Sequence, residues 1–219
     1  MIQRVWEGAR RATSLRQTIV ATDDERIAEA CHSFGAAVSM TSSRHATGTD
    51  RVAEVAGGLE EDIIVNIQGD EPLIEGFAID AAVEALLEDA ETPMSTVVHA
   101  AEATAGDDPN RIKVVLDHRG FALYFSRSPI PARRDRTPPA HYWQHVGLYA
   151  YRRSFLLEFV SLPRTPAERA EELEQLRALE HGYRIRAAVI DGWHSIPVDL
   201  PEDIARVESV LSGAGRTAS

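Results

Sequence analysis

Apolar runs alternate with polar breaks along the 219-residue chain in a way that sets out a succession of helices and strands. Ile2, Val5, Trp6 and Ala9 recur at i, i+3, i+4 and i+7, so the chain opens directly in an amphipathic helix. Thr18 to Thr22 reads as a strand. Asp23, Asp24 and Glu25 make the acidic first turn of a helix with Ile27, Ala30, Cys31 and Phe34 inward, ended by Gly35. A short strand near Ala37 to Thr41 leads through the polar stretch 42–51 to a helix with Val52, Val55, Ala56 and Leu59 on one face. Ile63 to Ile67, closed by Gly69 and Pro72, reads as a strand buried on both faces, the kind found in parallel sheets.

A helix from about Glu75 to Asp89 follows, with Ile79, Ala82, Val83, Leu86 and Leu87 inward, then a buried strand from Ser95 to Ala100. From Ile112 the pattern changes. Ile112 to Asp117 and Phe121 to Ser126 are strands joined by His118-Arg119-Gly120, which suits an antiparallel hairpin. A Pro-rich loop, a strand from His145 to Tyr151 and a helix around Phe155 come next. Thr165-Pro166 opens a helix that runs to Glu180 and stops at Gly182; a strand from Arg184 to Ile190 and a last helix from Pro201, with Ile204, Val207 and Leu211 inward, complete the order.

Alternating strands and helices predict an α/β fold, a three-layer sandwich with a mostly parallel sheet and an inserted antiparallel excursion. Residues 1–212 are expected to form a single domain and residues 213–219 a disordered tail. Composition fits: 44% of residues are hydrophobic and 26% charged, as in ordinary globular proteins. No apolar run approaches the roughly 20 residues of a membrane span, and Met1 to Glu7 carries no signal-peptide pattern, so a cytoplasmic protein with no membrane partner is expected. The net charge of −11 argues against a nucleic-acid surface, which calls for a broad basic field. The cluster at Arg133, Arg134 and Arg136 is local and interrupted, as in a solvated loop. Cys31 is the single cysteine, which excludes an internal disulfide and a thiolate metal cluster.

Asp70 stands where a parallel-sheet strand opens into a ligand crevice, beside a glycine and ahead of a proline. A carboxylate there suits a hard cation such as Mg²⁺, although Gly-Asp is also ordinary in a strand-to-helix turn. Asp199 occupies a similar place, at a strand end before a helix opened by Pro201. On one sheet edge the two carboxylates would share or flank divalent ions. His141 and His145 lie four apart, but no cysteine or third histidine near them completes a zinc set.

Several segments together resemble the CMP-KDO synthetases, the 3-deoxy-manno-octulosonate cytidylyltransferases, over nearly the whole chain. They are Ile19 to Asp24, His45 to Arg51, Val65 to Pro72, Lys113-Val114-Val115, Ala122 to Arg127, His145 to Tyr149, Leu173 to Arg177 and Val198-Asp199. Each is weak alone; their order and spacing are specific. The resemblance implies a nucleotide-diphospho-sugar transferase-like fold, a homodimer, and Mg²⁺-dependent transfer of CMP from CTP to the anomeric hydroxyl of KDO, feeding lipopolysaccharide biosynthesis. It also implies that Asp70 and Asp199 hold Mg²⁺, that Thr47, Gly48, Arg51 and Gln68 face the nucleotide, and that Arg127, His145, Tyr149, Glu174 and Gln175 bind the sugar acid.

The chain departs from the family pattern at its start and, more mildly, at Leu200, where the family usually has Thr. The family's first strand, which is central in the sheet, and its basic triphosphate loop precede a methionine that corresponds to Met1 here, and Lys113 is the only lysine in the chain. The resemblance therefore sets the expectation of a chain lacking that strand and loop, poorly soluble or inactive as it stands. A truncated frame, a non-catalytic binding or dimer-forming subunit, and a relative acting on another eight- or nine-carbon sugar acid are the readings that follow.

Overall fold

The computed structural model describes residues 1–101, 106–132 and 142–213. Its elements run α1 (Ile2–Ala9), β1 (Ile19–Thr22), α2 (Glu25–Ser33), β2 (Ala37–Met40), α3 (Gly48–Ala56), β3 (Ile63–Ile67), α4 (Gly76–Leu87) and β4 (Met94–Ala101). They continue with β5 (Lys113–Leu116), β6 (Ala122–Ser126), β7 (Tyr142–Arg152), α5 (Arg153–Phe159), α6 (Pro166–Glu171), α7 (Gln175–Glu180), β8 (Ile185–Ile190) and α8 (Pro201–Leu211). This is the α/β order read from the sequence. The Arg133 to Arg136 cluster, His141 and the expected tail from residue 214 lie outside the described residues.

The chain divides into two compact units, one of Met1–Val55, Ile67–Asp80 and the segment from His194, the other of Ala56–Asn66 and Ala81–Trp193. In the first, β1 and β2 pair in parallel to form a two-stranded sheet. Val20, Cys31 and Ala36 form its small core, with Ile2, Trp6, Phe34 and Val38 packed against it. α1 sits close to the segment after Asp70, because two glycines let backbones meet. A Cβ on Gly8 would lie 2.2 Å from the Ile74 carbonyl oxygen, and one on Gly76 would lie 2.4 Å from the Arg11 carbonyl carbon. Asp80 fixes the loop after α1 by accepting from the backbone N–H and hydroxyl groups of both Thr13 and Ser14. Burial opposes ionisation of Asp80, but the Ser14 hydroxyl and these amides outweigh it and hold the carboxyl at about 2.

The second unit is built on a six-stranded sheet of order β6-β5-β7-β4-β8, with β3 also paired to β7. The sheet is mixed rather than mostly parallel: its central strand β7 is antiparallel to both β4 and β5, while β4 and β8 are parallel. The predicted hairpin is β5 and β6, turned by Gly120 at φ +78°, with Asp117 accepting from the amides of Arg119 and Phe121. Its core includes Val97, Val98, Phe125, Leu148, Leu156 and Leu176, all fully buried.

Several details differ from the sequence reading. The strand at Ile63 to Ile67 alternates, with Ile64 and Asn66 buried and its other residues half-buried. α2 turns Ala28 and Cys31 inward and leaves Ile27 and Ala30 exposed; a helical period does not separate such adjacent positions. α3 likewise buries Ala53 and Ala56, with Val52 and Val55 half-buried, and Leu87 at the end of α4 is exposed. α8 buries Asp203 and Val207, whereas Ile204 and Leu211 are 50% and 46% exposed. Asp203, the third residue of that helix, reaches back to accept from the N–H of the N-cap Leu200 at 3.0 Å. The helix expected from Thr165 to Glu180 is two helices, broken at Glu172, which adopts a left-handed φ of 52°.

Candidate active site

In the first unit the candidate residues stand on the loops that follow β1, β2 and β3. Thr47 caps α3: its hydroxyl accepts from the Asp50 N–H while the Asp50 carboxylate accepts from the Thr47 N–H, each at 3.1 Å. Gly48 begins that helix, and a Cβ on it would lie 3.7 Å from Gln68 Oε1, so Gln68 lies beside the amide end of α3. A helix N-terminus is where phosphate oxygens are favoured. Arg51 is tied to the ends of both strands, by an ion pair to Asp23 at 3.1 Å and a hydrogen bond to the Thr41 hydroxyl at 2.5 Å. His45 pairs with Glu54, which also accepts from the Ser42 N–H, so the loop between β2 and α3 is held at several points.

Asp70 follows β3 and is half-buried, and its carbonyl accepts from the Val198 N–H at 2.9 Å. That bond brings the segment bearing the exposed Asp199 alongside. Desolvation pushes the Asp70 carboxyl up; a backbone N–H works against this, and the negative Asp199 adds to the rise. Among the described residues no group of three or more His, Cys, Asp or Glu side chains is arranged to hold a metal. The donor set here is two carboxylates. Such a set fits Mg²⁺, which keeps several waters and substrate oxygens rather than entering an all-protein cage. Glu71 is 3% exposed and accepts a short hydrogen bond from the Ser195 hydroxyl, a second tie between the same two segments. Sequence reading missed this pair, since 124 residues separate its members.

In the second unit His145 and Tyr149 lie on β7, where the register with β4 shifts between Thr96 and Val97. The Thr96 hydroxyl donates to the Leu148 carbonyl at 2.8 Å, so the irregularity is internally satisfied. The rings of His145 and Tyr149 are 5.1 Å apart, and Phe125 meets His145 edge-on at 5.3 Å. Burial, then Tyr151, then Glu174 raise the Tyr149 hydroxyl well above its ordinary range, which brings Glu174 into the same neighbourhood. Glu174 accepts from Arg177 at 3.3 Å. The side-chain atoms His145 Nε2, Gln175 Nε2 and Gln144 Oε1 are buried without a hydrogen-bond partner. Buried polar groups are normally satisfied, so the His145 and Gln175 atoms are open to a polar ligand, while Gln144, next to His145 on the strand, faces the other side of the sheet. Arg127 was expected at the sugar acid, but its guanidinium is already engaged with backbone carbonyls.

Burial holds His145 far below the usual imidazole range, at about 3, and His99 adds repulsion. Its folded value is depressed, so between about 3 and the ordinary 6.5 the unfolded chain binds a proton that the folded chain does not. Stability is therefore lost as the pH falls through that window. At pH 5 the loss from this one ring is about 2 kcal/mol. Urea denaturation of His145→Gln and the parent at about pH 5 and 7 is expected to show a pH dependence smaller by about that amount in the variant. An unchanged slope would mean that the ring is protonated in the folded protein.

The fold is that of nucleotidyltransferases that activate sugars; Asp199, expected at a strand end, lies instead in the extended segment between β8 and α8. A putative glucose-1-phosphate thymidylyltransferase from Bacillus anthracis shares the fold at a TM-score of 0.65 and 14% identity, covering 95% of this chain and 81% of that one. The cytidylyltransferase family model matches residues 1–185. A 3-deoxy-manno-octulosonate cytidylyltransferase from Solibacter usitatus is 53% identical over 98% of this chain and 87% of its own length. One from Syntrophotalea carbinolica is 50% identical over 97% and 88%. A solved structure of CMP:2-keto-3-deoxy-manno-octonic acid synthetase complexed with CTP superposes at a TM-score of 0.90 with 39% identity, over 97% of this chain and 88% of that one. The chain belongs to the 3-deoxy-manno-octulosonate cytidylyltransferase family.

Proposed function

We propose that this chain transfers CMP from CTP to the anomeric hydroxyl of 3-deoxy-manno-octulosonate, releasing pyrophosphate. The observation that carries the reading is the Asp70 and Asp199 pair, joined through the Val198 N–H, in a chain 53% identical to a cytidylyltransferase for that acid. In the reaction a bond forms between the anomeric oxygen and the α-phosphorus, the bond from that phosphorus to the pyrophosphate oxygen breaks, and the hydroxyl proton leaves to solvent. Asp70 and Asp199 would hold Mg²⁺, which when bound offsets the charge gathering on the phosphoryl oxygens and lowers the pKa of the attacking hydroxyl. Gln68 and the amide end of α3, at Thr47 and Gly48, face the nucleotide, and Arg51 shapes the strand ends around it. His145, Tyr149, Glu174 and Gln175 receive the acid, the neutral His145 ring serving as a hydrogen-bonding group rather than a cation. We further propose a homodimer acting in the cytoplasm, with the activated sugar entering lipopolysaccharide assembly. No helix among the described residues is long and apolar enough to cross a membrane.

The test is pyrophosphate release measured with CTP, 3-deoxy-manno-octulosonate and Mg²⁺. Release is expected with this pair, and replacing them by UTP and glucose 1-phosphate is expected to lower it at least about 100-fold, because a site built to pair polar groups rejects substrates that leave them unpaired. Equal turnover of both pairs would assign the chain to general sugar-phosphate activation.

A further inference from the structure

The break between α6 and α7 lies at Glu172, the one non-glycine residue with positive φ among the described residues, and Glu174 and Gln175 follow directly. A residue with a Cβ is disfavoured in the left-handed region, so something must hold it there. The backbone closes the turn in part, the Glu172 and Leu173 N–H groups both donating to the Glu168 carbonyl, and Arg127 adds a side-chain clamp. Its Nε donates to the Glu171 carbonyl at 2.7 Å, and its two terminal nitrogens donate to the Pro109 carbonyl at 3.1 Å and, at the long limit of 3.5 Å, to the Glu172 carbonyl. The Glu171 carboxylate answers by accepting from the Arg127 N–H at 2.9 Å and the Ser126 hydroxyl at 2.6 Å. From behind, the Lys113 ammonium donates to the Arg127 carbonyl at 2.5 Å.

We infer that Arg127 is a positioning residue: its guanidinium, gripping the last turn of α6, holds the left-handed break that turns Glu174 and Gln175 toward the sugar acid. The inference rests on the proposed cytidylyl transfer and changes the part Arg127 plays in it. A planar fork serving three carbonyls is a task lysine does not replace. Glycine at position 172 would take the left-handed conformation without a Cβ penalty, so the break would no longer need its clamp.

These two statements give the test, a double-mutant cycle read by kinetics and by amide hydrogen exchange. R127K is expected to raise KM for the sugar acid about tenfold, with KM for CTP within about twofold, and to speed exchange across residues 172–176. E172G alone is expected to stay within about twofold of the parent, and R127K/E172G to recover most of the lost sugar-acid affinity. If Arg127 instead touches the sugar acid, E172G brings no recovery and exchange in R127K is unchanged, which overturns the inference. An equal rise in KM for both substrates overturns it as well. R127Q, which keeps one amide donor, replaces R127K should that variant not fold. The exchange measurement needs no turnover, so an inactive parent would count against the proposed function while the hold of Arg127 on the break is still decided.

Discussion

Asp70→Asn is expected to lower kcat/KM for cytidylyl transfer by about 10³ while leaving the fold intact. The substitution is nearly isosteric, and the tie that fixes this segment, from the Val198 N–H to the Asp70 carbonyl, belongs to the backbone and survives it. What is lost is the negative charge of a half-buried carboxylate, the one proposed above to hold Mg²⁺. Asp199→Asn is expected to cost less, because Asp199 is exposed and water can take over part of its role. Without metal, Asp70→Asn should be no less stable than the parent, since it removes one of two like charges that act on each other. Steady-state kinetics, Mn²⁺ binding followed by spin resonance, and thermal unfolding in chelator check the three parts. Retention of a tenth or more of the activity would remove Asp70 from the metal site.

The largest loss of stability is expected from Arg177→Ala, about 3–5 kcal/mol in urea denaturation. Arg177 and Glu168 are 5% and 2% exposed and meet at 2.6 Å, with a second bond at 2.9 Å. Burial alone would raise the Glu168 carboxyl, but Arg177, with help from the Thr165 N–H and Arg164, holds it below its ordinary value. Truncating the arginine removes both of these bonds and leaves a buried carboxylate to Arg164 and the Thr165 N–H alone. It also removes a partner of Glu174, so KM for the sugar acid should rise alongside. Replacing both members by apolar residues of similar volume should recover much of the stability and none of the affinity. A loss below about 1 kcal/mol for the single change would show that Arg164 alone satisfies Glu168.

The order of elements was legible because each has a period or a punctuation mark in the sequence: the hairpin from His118-Arg119-Gly120, the entry to α6 from Thr165-Pro166, the ends of β3 from Gly69 and Pro72. The break at Glu172 was not, since glycine or asparagine is the usual sign of a left-handed residue and a glutamate reads as helix. What holds it comes from Arg127, far along the chain. The outward turn of Ile204 on α8 was hidden for a related reason: a charged cap, Asp203, is buried where an apolar residue was expected. For the candidate site, the residues were named by the family resemblance. The engagement of each side chain was not. The resemblance places Arg51 and Arg127 at ligands, and only the fold shows them engaged by Asp23 and by backbone carbonyls.

Lys113 is the sole lysine of the chain and is 1% exposed, its ammonium enclosed by the carbonyls of Asp108 and Arg127. Burial, only partly countered by Asp108 and nearby carboxylates, lowers its pKa. In the folded state lysine chemistry is therefore closed: a lysine acetyltransferase or a lysine-directed protease finds no side chain to act on. Each of them becomes a reporter of opening at one known place, the base of β5, and the rate of a single cut there counts excursions of the strand that steadies Arg127.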